Sequence, residues 1–240
     1  MTPAGSVAAE DPEWGATRAR NRETSTAYAA LVLLVAAFIG VAAVVVGLVW
    51  GVGAGVIAAV AGIAFVAWWV GRAPTAALNA AGARSLAPDD HPRLWNIASG
   101  LAVDLSSPVP ALFLITEGGP NALVCRRRGP AIAVTRSLLE SYTRTELEAV
   151  VAHCLVRSRS PHLHRVVLAT ALGPLGSFAL PVAGFDDDVR AAAVTRYPPA
   201  LAAAIEKAEP RSGRWSPFWF VGVGPAHRPA PDRIAALEDL

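Results

Sequence analysis

A long stretch without a single charged residue, from residue 24 to residue 71, limits the possible folds of this chain more than any other feature. As one helix it would be about 72 Å long, more than twice the roughly 30 Å thickness of a bilayer hydrocarbon core. The glycine-rich segment 51–55 offers a break. The sequence therefore predicts two membrane-spanning helices, at residues 28–50 and 55–70.

Arginines flank this hairpin on both sides, while its turn carries no charge. They are Arg18, Arg20, Arg22, Arg72 and Arg84. By the positive-inside rule both chain ends are predicted to be cytoplasmic. We expect a disordered leader at residues 1–23, the hairpin at 24–71 and a cytoplasmic domain at 72–240. Gly47, Gly51 and Gly55 fit either a tight turn or a close helix contact, and we favour the turn.

The composition supports a membrane protein and argues against some other classes. The chain is 53% hydrophobic, with a mean hydropathy of +0.41. Its formal charge of +2 is small and its arginines are scattered, so a nucleic-acid partner is not expected. Two cysteines, Cys125 and Cys154, form no disulfide framework and suit a reducing compartment.

Beyond the hairpin the pattern indicates a mainly helical α+β domain with a small sheet. Apolar runs at residues 111–116 and 131–135 are typical of strands, and we interpret residues 117–130 between them as a loop. Helices are predicted at 137–141, at 143–158, and at 191–207 with a break at its two prolines. A further helix starts at Pro92, where the missing N–H is tolerated.

The helix at 143–158 carries the most informative pattern. Thr143 and Glu146 form a capping box, and an apolar stripe that includes Cys154 follows at helical spacing. His153 and Arg157 lie one turn apart on a neighbouring face. A zinc-binding His-Glu-x-x-His helix needs a second imidazole and a carboxylate, but here Arg157 and Cys154 occupy those positions.

Several short motifs, in this order, resemble the membrane-bound M48 zinc metalloproteases, the family of the protease HtpX. They are His91-Pro-Arg-Leu-Trp95, Gly119-Pro-Asn-Ala-Leu123, Ala133-Val-Thr-Arg-Ser-Leu-Leu139, Thr145 to His153, Thr195-Arg-Tyr-Pro-Pro199 and His227-Arg-Pro-Ala-Pro-Asp-Arg-Ile234. The resemblance implies a zincin-like domain behind two membrane helices. It also implies an integral protein of a bacterial-type inner or plasma membrane.

The resemblance assigns site positions, most of them altered. It makes His153 a metal ligand, puts Cys154 at the general base and Arg157 at the second ligand, and places the third ligand at Gly184. A single imidazole does not hold a tetrahedral zinc site, so no cofactor is expected. Asn121, Ala122 and Leu123 correspond to a substrate-binding loop.

Two alternatives at this site remain open. The Arg157 guanidinium could fill the vacated cavity and pair with Asp188, or it could extend to solvent near the helix end. Separately, His162, His164 and the acidic residues Asp186–Asp188 could supply non-standard zinc ligands.

The sequence therefore predicts a membrane-anchored M48 peptidase-like protein that is catalytically inactive. Its expected partners are the lipid bilayer and either an active M48 relative or a client polypeptide. The alternative is an active zinc metalloendopeptidase with unusual ligands.

Overall fold

The computed structural model describes residues 12–180 and 185–240. Its first feature is a hairpin of two long helices, α1 (Pro12–Trp50) and α2 (Val52–Ala80). Gly51 alone joins them, with a φ of 96° that a residue without a Cβ adopts at little cost. Both helices are long and apolar enough to cross a membrane, as the sequence predicts.

The glycines beside the turn also form a close contact between the two helices. A Cβ on Gly55 would lie 2.8 Å from the Ala43 carbonyl oxygen and 3.0 Å from Cα of Gly47. The predicted turn at Gly51 is confirmed. The helix-contact interpretation is correct as well, because Gly47 and Gly55 meet where the backbones come closest.

Both helices extend beyond the predicted spans. Helix α1 already begins at Pro12, so residues 12–23 are helical and not the disordered leader that the sequence predicts; residues 1–11 lie outside the described part. This segment is rich in Ala, Glu and Arg, and an existing helix extends into such residues without a new nucleation step. Helix α2 continues through Pro74 to Ala80.

A four-stranded mixed sheet follows, in the order β1-β2-β4-β3. The strands are β1 (Arg84–Ser85), β2 (Ala111–Ile115), β3 (Ala122–Arg126) and β4 (Pro130–Thr135). Strands β2 and β4 pair in parallel, and β3 pairs with β4 in the antiparallel direction. The two predicted strands are confirmed, but the loop predicted at 117–130 contains β3.

The remaining helices surround the sheet. They are α3 (Pro92–Asp104), α4 (Arg136–Ser141), α5 (Arg144–Arg159), α6 (Pro161–Ala171), α7 (Phe185–Thr195), α8 (Pro198–Lys207) and α9 (Ala230–Glu238), with a 3-10 turn at Gly173–Ala179. Helix α5 contacts α3, α7, α8 and the sheet. The predicted α+β class, with two apolar N-terminal helices and a small sheet, is confirmed.

Candidate functional site

Helix α5 places its key side chains in the interior of the protein. Its start is fixed by the predicted capping box: Thr143 Oγ1 accepts from the Glu146 amide at 3.3 Å, and Glu146 Oε2 accepts from the Thr143 amide at 2.8 Å. His153 and Arg157 are only 1% and 3% exposed. The cap therefore fixes the start of a helix whose His153 and Arg157 side chains face the core.

His153 lies against an acidic residue and an aromatic ring. Its Nδ1 is 2.9 Å from Asp188 Oδ1, although without the alignment of a hydrogen bond, and its ring meets the edge of Phe220 at 5.0 Å between centroids. Burial lowers the pKa of His153, with Asp188 opposing the shift. The imidazole is therefore held in its neutral form, with Nε2 left without a hydrogen-bond partner.

The basic partner of Asp188 is Arg233, on α9. Arg233 donates from Nε to Oδ2 and from Nη2 to Oδ1, both at 2.7 Å, and from Nη1 to the Phe220 carbonyl. Burial alone raises the pKa of Asp188, but the Arg233 guanidinium outweighs it and lowers the pKa overall. The predicted pair between Arg157 and Asp188 is thus wrong: the packing of α9 against α7 places Arg233 in bidentate contact with both carboxylate oxygens.

Arg157 is also buried, which contradicts the solvent-facing alternative. Its Nη1 donates to the Trp219 carbonyl at 3.0 Å and its Nη2 to the Pro217 carbonyl at 2.6 Å. Burial lowers the pKa of the guanidinium, and Asp187 is the main opposing charge. The residue at the second-ligand position therefore binds the backbone of residues 217–219.

That backbone segment covers the outer edge of β3. Leu123 and Trp219 form an antiparallel bridge, and the Phe220 amide donates to the Ala122 carbonyl at 2.7 Å. The Asn121 side-chain amide donates to the carbonyls of Glu209 and Val221, both at 2.7 Å. Asn121, Ala122 and Leu123, the predicted substrate-binding residues, are fully buried, and their outward hydrogen bonds go to the protein's own chain.

The other candidate ligands do not converge on one point. Cys154 lies in the apolar core, where burial raises its thiol pKa to about 12. His162 Nδ1 is buried and unpartnered, whereas His164 is exposed. Within residues 12–180 and 185–240, no three His, Cys, Asp or Glu side chains group closely enough to hold a metal. Gly184 lies outside the described residues.

The side chains present do not fit a tetrahedral zinc centre. Where the resemblance requires a second lone-pair donor, Arg157 presents a cation with donor hydrogens only. A metal ion beside it would meet a like charge. The structure thus shows a histidine, two arginines and a carboxylate packed where the family resemblance expects a metal.

Two contributors were missed by the sequence reasoning. Arg233 lies within the C-terminal motif of the resemblance, yet nothing in its spacing indicated Asp188 as its partner. His227 also joins the site: its Nε2 is 2.8 Å from the Ser216 carbonyl oxygen, and burial together with Arg157 lowers its pKa to about 3. Both lie far along the chain from α5, so only the fold brings them together.

Curated relatives are similar to this chain. The "Protease HtpX homolog" of Tropheryma whipplei (strain TW08/27) is 26% identical over 221 residues, which cover 66% of this chain and 76% of that protein. This chain is similar to HtpX-type proteases. A protein of the same name from Limosilactobacillus fermentum is 30% identical over 132 residues, covering 54% of this chain and 44% of the relative.

The HtpX likeness rests on these sequence matches, because no family model matches the chain. No solved structure matches it either. The relatives' names describe proteases, and the two apolar helices agree with a membrane-anchored protein.

Proposed function

We propose that this chain is an HtpX-like M48 peptidase-related protein, anchored in a membrane, that has lost hydrolytic activity. It acts as a binding or regulatory partner of another polypeptide, either an active relative or a client. Its domain lies on the cytoplasmic side, as the flanking arginines favour.

One observation carries the loss of activity: the Arg157 guanidinium is buried and donates to the Pro217 and Trp219 carbonyls. In a zinc peptidase the second histidine would supply a lone pair at this position. A guanidinium has none to offer, and arginine side chains stay protonated in proteins at neutral pH. A permanent cation therefore stands in place of a metal ligand, and its donors are already bound to backbone carbonyls.

The charged groups around Arg157 have partners within the chain. Asp188 has two charge-assisted hydrogen bonds from Arg233, and the β3 edge is paired with residues 219–220. Buried polar groups satisfied in this way join α7 to α9, and Arg157 joins α5 to residues 217–219. These contacts support a protein whose old catalytic region has become a structural connection between helices.

The proposal is tested first by metal analysis of the detergent-purified protein, with His153→Ala prepared in parallel. We expect no stoichiometric zinc in either protein, and no hydrolysis of casein when zinc is added. The Limosilactobacillus fermentum relative serves as the positive control for hydrolysis. Zinc in wild type that disappears in His153→Ala would overturn the loss of activity and favour the unpartnered nitrogens of His153 and His162 as ligands.

The regulatory role needs its own measurement. The chain and the same relative are placed together in one proteoliposome, and the relative's rate of hydrolysis is measured. We expect the rate to change with wild type present. An unchanged rate, with both proteins inserted, would rule out regulation of that relative and leave the client-binding role.

A gain-of-function variant tests whether Arg157 occupies the former metal cavity. We expect Arg157→His combined with Gly184→Glu to acquire zinc, since three ligand positions are then restored. Arg159→His with Gly184→Glu is the matched control, because Arg159 lies on the same helix but is exposed. Equal zinc content in the two variants would contradict the assignment of the cavity.

A further inference from the structure

A basic, aromatic cleft lies where helix α2 leaves the apolar part of the hairpin. Its volume is about 310 Å³. Trp68, Trp69 and Arg72 line it from α2, and Arg214 and Trp215 close it from the loop before the C-terminal helix. The cleft is separate from the Arg157 region and takes no part in the function proposed above.

The position of the cleft along helix α2 corresponds to the surface of a bilayer. Arg72 lies about 30 Å along α2 from Val52 at the helical rise, which is the thickness of the hydrocarbon core. With the hairpin turn at one bilayer surface, Arg72 therefore reaches the headgroup region at the other. Trp68 and Trp69, 53% and 48% exposed, lie just inside that level, where indole rings are favoured.

Contacts made by α1 place the headgroup region of the bilayer at the same end of the hairpin. Tyr28 lies about 33 Å along α1 from Trp50. The Arg165 guanidinium, on α6, stands over the Tyr28 ring at 5.7 Å and donates to Ser25 Oγ at 2.6 Å. The adjoining 3-10 turn exposes Leu175, 68% accessible. Arginine and apolar side chains thus lie at the same level beside both helices of the hairpin.

The two arginines of the cleft are oriented by their contacts. Arg72 stacks on Trp68 with 4.7 Å to the ring centre, and Arg214 stacks on Trp215 with 5.0 Å. Arg214 Nη2 also donates to the Thr170 carbonyl at 3.1 Å. Stacking uses the face of a guanidinium and leaves in-plane N–H donors for an acceptor.

The positive charge of the cleft favours the binding of an anion. None of its lining residues carries a carboxylate, so two positive charges face the cavity without a compensating group in its wall. The indole rings and Ala73 and Ala76 form an apolar wall beside them. A phosphate with hydrocarbon chains attached complements both parts: guanidinium forks bind phosphate oxygens, and the apolar wall accepts a glycerol backbone and upper acyl chain.

We propose that this cleft binds the phosphate headgroup of an anionic glycerophospholipid through Arg72 and Arg214. This inference rests on the membrane anchorage proposed above and on nothing in the former metal region. The bound lipid fixes the soluble domain against the membrane surface, since it links α2 with the loop that carries Arg214.

The test uses the full chain in nanodiscs of phosphatidylcholine with an equal amount of phosphatidylglycerol. Native mass spectrometry then counts the lipids retained after the disc is removed. We expect wild type to retain phosphatidylglycerol in preference to phosphatidylcholine. Arg72→Gln and Arg214→Gln should each reduce that preference by about fivefold, as expected for one cation at a lipid surface. Arg144→Gln, exposed on α5, is the control.

Each outcome has a distinct meaning. An equal preference in wild type and in the double variant Arg72→Gln/Arg214→Gln, with both proteins inserted, overturns the lipid site and leaves the anchorage intact. A chain that does not enter discs overturns the anchorage and this inference together. If soluble glycerol phosphate displaces the retained lipid as well as phosphatidylglycerol does, the site is a general anion site and the lipid assignment is wrong.

Discussion

The Arg233 guanidinium donates two hydrogen bonds of 2.7 Å to the Asp188 carboxylate, and both side chains are 3% exposed. This pair joins α7 to α9, and the same carboxylate touches His153 on α5. One acidic residue therefore connects three helices that are distant in sequence. In the interior such a connection is sensitive, because loss of either partner leaves a charge without compensation.

Arg233→Met should destabilise the fold by about 3–5 kcal/mol, since it leaves the Asp188 carboxylate buried and unpaired. Thermal unfolding in detergent measures the change. Arg190→Met is the control, because Arg190 lies on α7 close to Asp188 but is exposed. The double variant Asp188→Asn/Arg233→Met should be less destabilised than Arg233→Met alone. If it is more destabilised, the unpaired charge is not the cause.

Asn121 should behave as a structural residue. Its amide donates to two carbonyls and its Oδ1 accepts from the amides of Ala122 and Val221. Asn121→Ala leaves several of these groups unsatisfied and should cost about 3 kcal/mol of folding free energy.

Hydrogen exchange gives a local measurement of the same Asn121→Ala change. The Phe220 amide, bonded to the Ala122 carbonyl, should exchange faster in this variant than in wild type. Asn96→Ala, at an exposed position on α3, should leave that rate unchanged. Equal exchange rates in all three proteins would show that Asn121 does not hold residues 219–221 on β3.

The stability of the domain should decrease as the pH falls below 6.5. His153 and His227 both have folded-state pKa values lowered from 6.5, that of His227 to about 3. The unfolded chain therefore binds protons that the folded chain excludes. The contribution of His227 is present in full above pH 6.5 and is lost through the window down to about pH 3, by up to about 1.4 kcal/mol per pH unit. His153 contributes a loss in the same direction below pH 6.5.

Chemical unfolding at pH 7 and pH 5 checks this dependence. His227→Asn should show a shallower loss of stability between the two values, because one of the excluded protons is no longer involved. His164→Asn, at an exposed position, should retain the wild-type slope. If His227→Asn lost more stability than wild type between pH 7 and pH 5, the proposed contribution of His227 protonation would have the wrong sign.

Local patterns in the sequence predict much of this fold. The uncharged stretch and Gly51 predict the hairpin, and the Thr143–Glu146 box predicts the start of α5 to within one residue. Strand β3 was missed, because its four buried residues Ala122–Cys125 are followed directly by three arginines, which favour a loop. Its strand character depends on pairing with β4 and with residues 219–220, and such pairing has no local signal.

The candidate site was predicted less completely, for the same physical reason. The α5 pattern identifies His153 and Arg157 as neighbours on one face, and both prove to be buried. The choice between Arg157 and Arg233 as partner of Asp188 depends on how α7 and α9 pack, which sequence spacing does not encode. The acceptors that Arg157 uses instead are backbone carbonyls, and every residue carries one, so no side-chain pattern could identify them.

The close contact between Gly47 and Gly55 predicts the response of the hairpin to larger side chains. Gly55→Leu should separate the helices near the turn and cost about 1–3 kcal/mol, because its Cβ alone would lie 2.8 Å from the Ala43 carbonyl oxygen. Gly53→Leu is the matched control, since a Cβ there meets nothing within 4 Å. Unfolding of the detergent-purified protein by dodecyl sulfate compares the two. A cost as large in Gly53→Leu as in Gly55→Leu would assign the effect to glycine replacement near the turn and remove the evidence for a packed glycine contact.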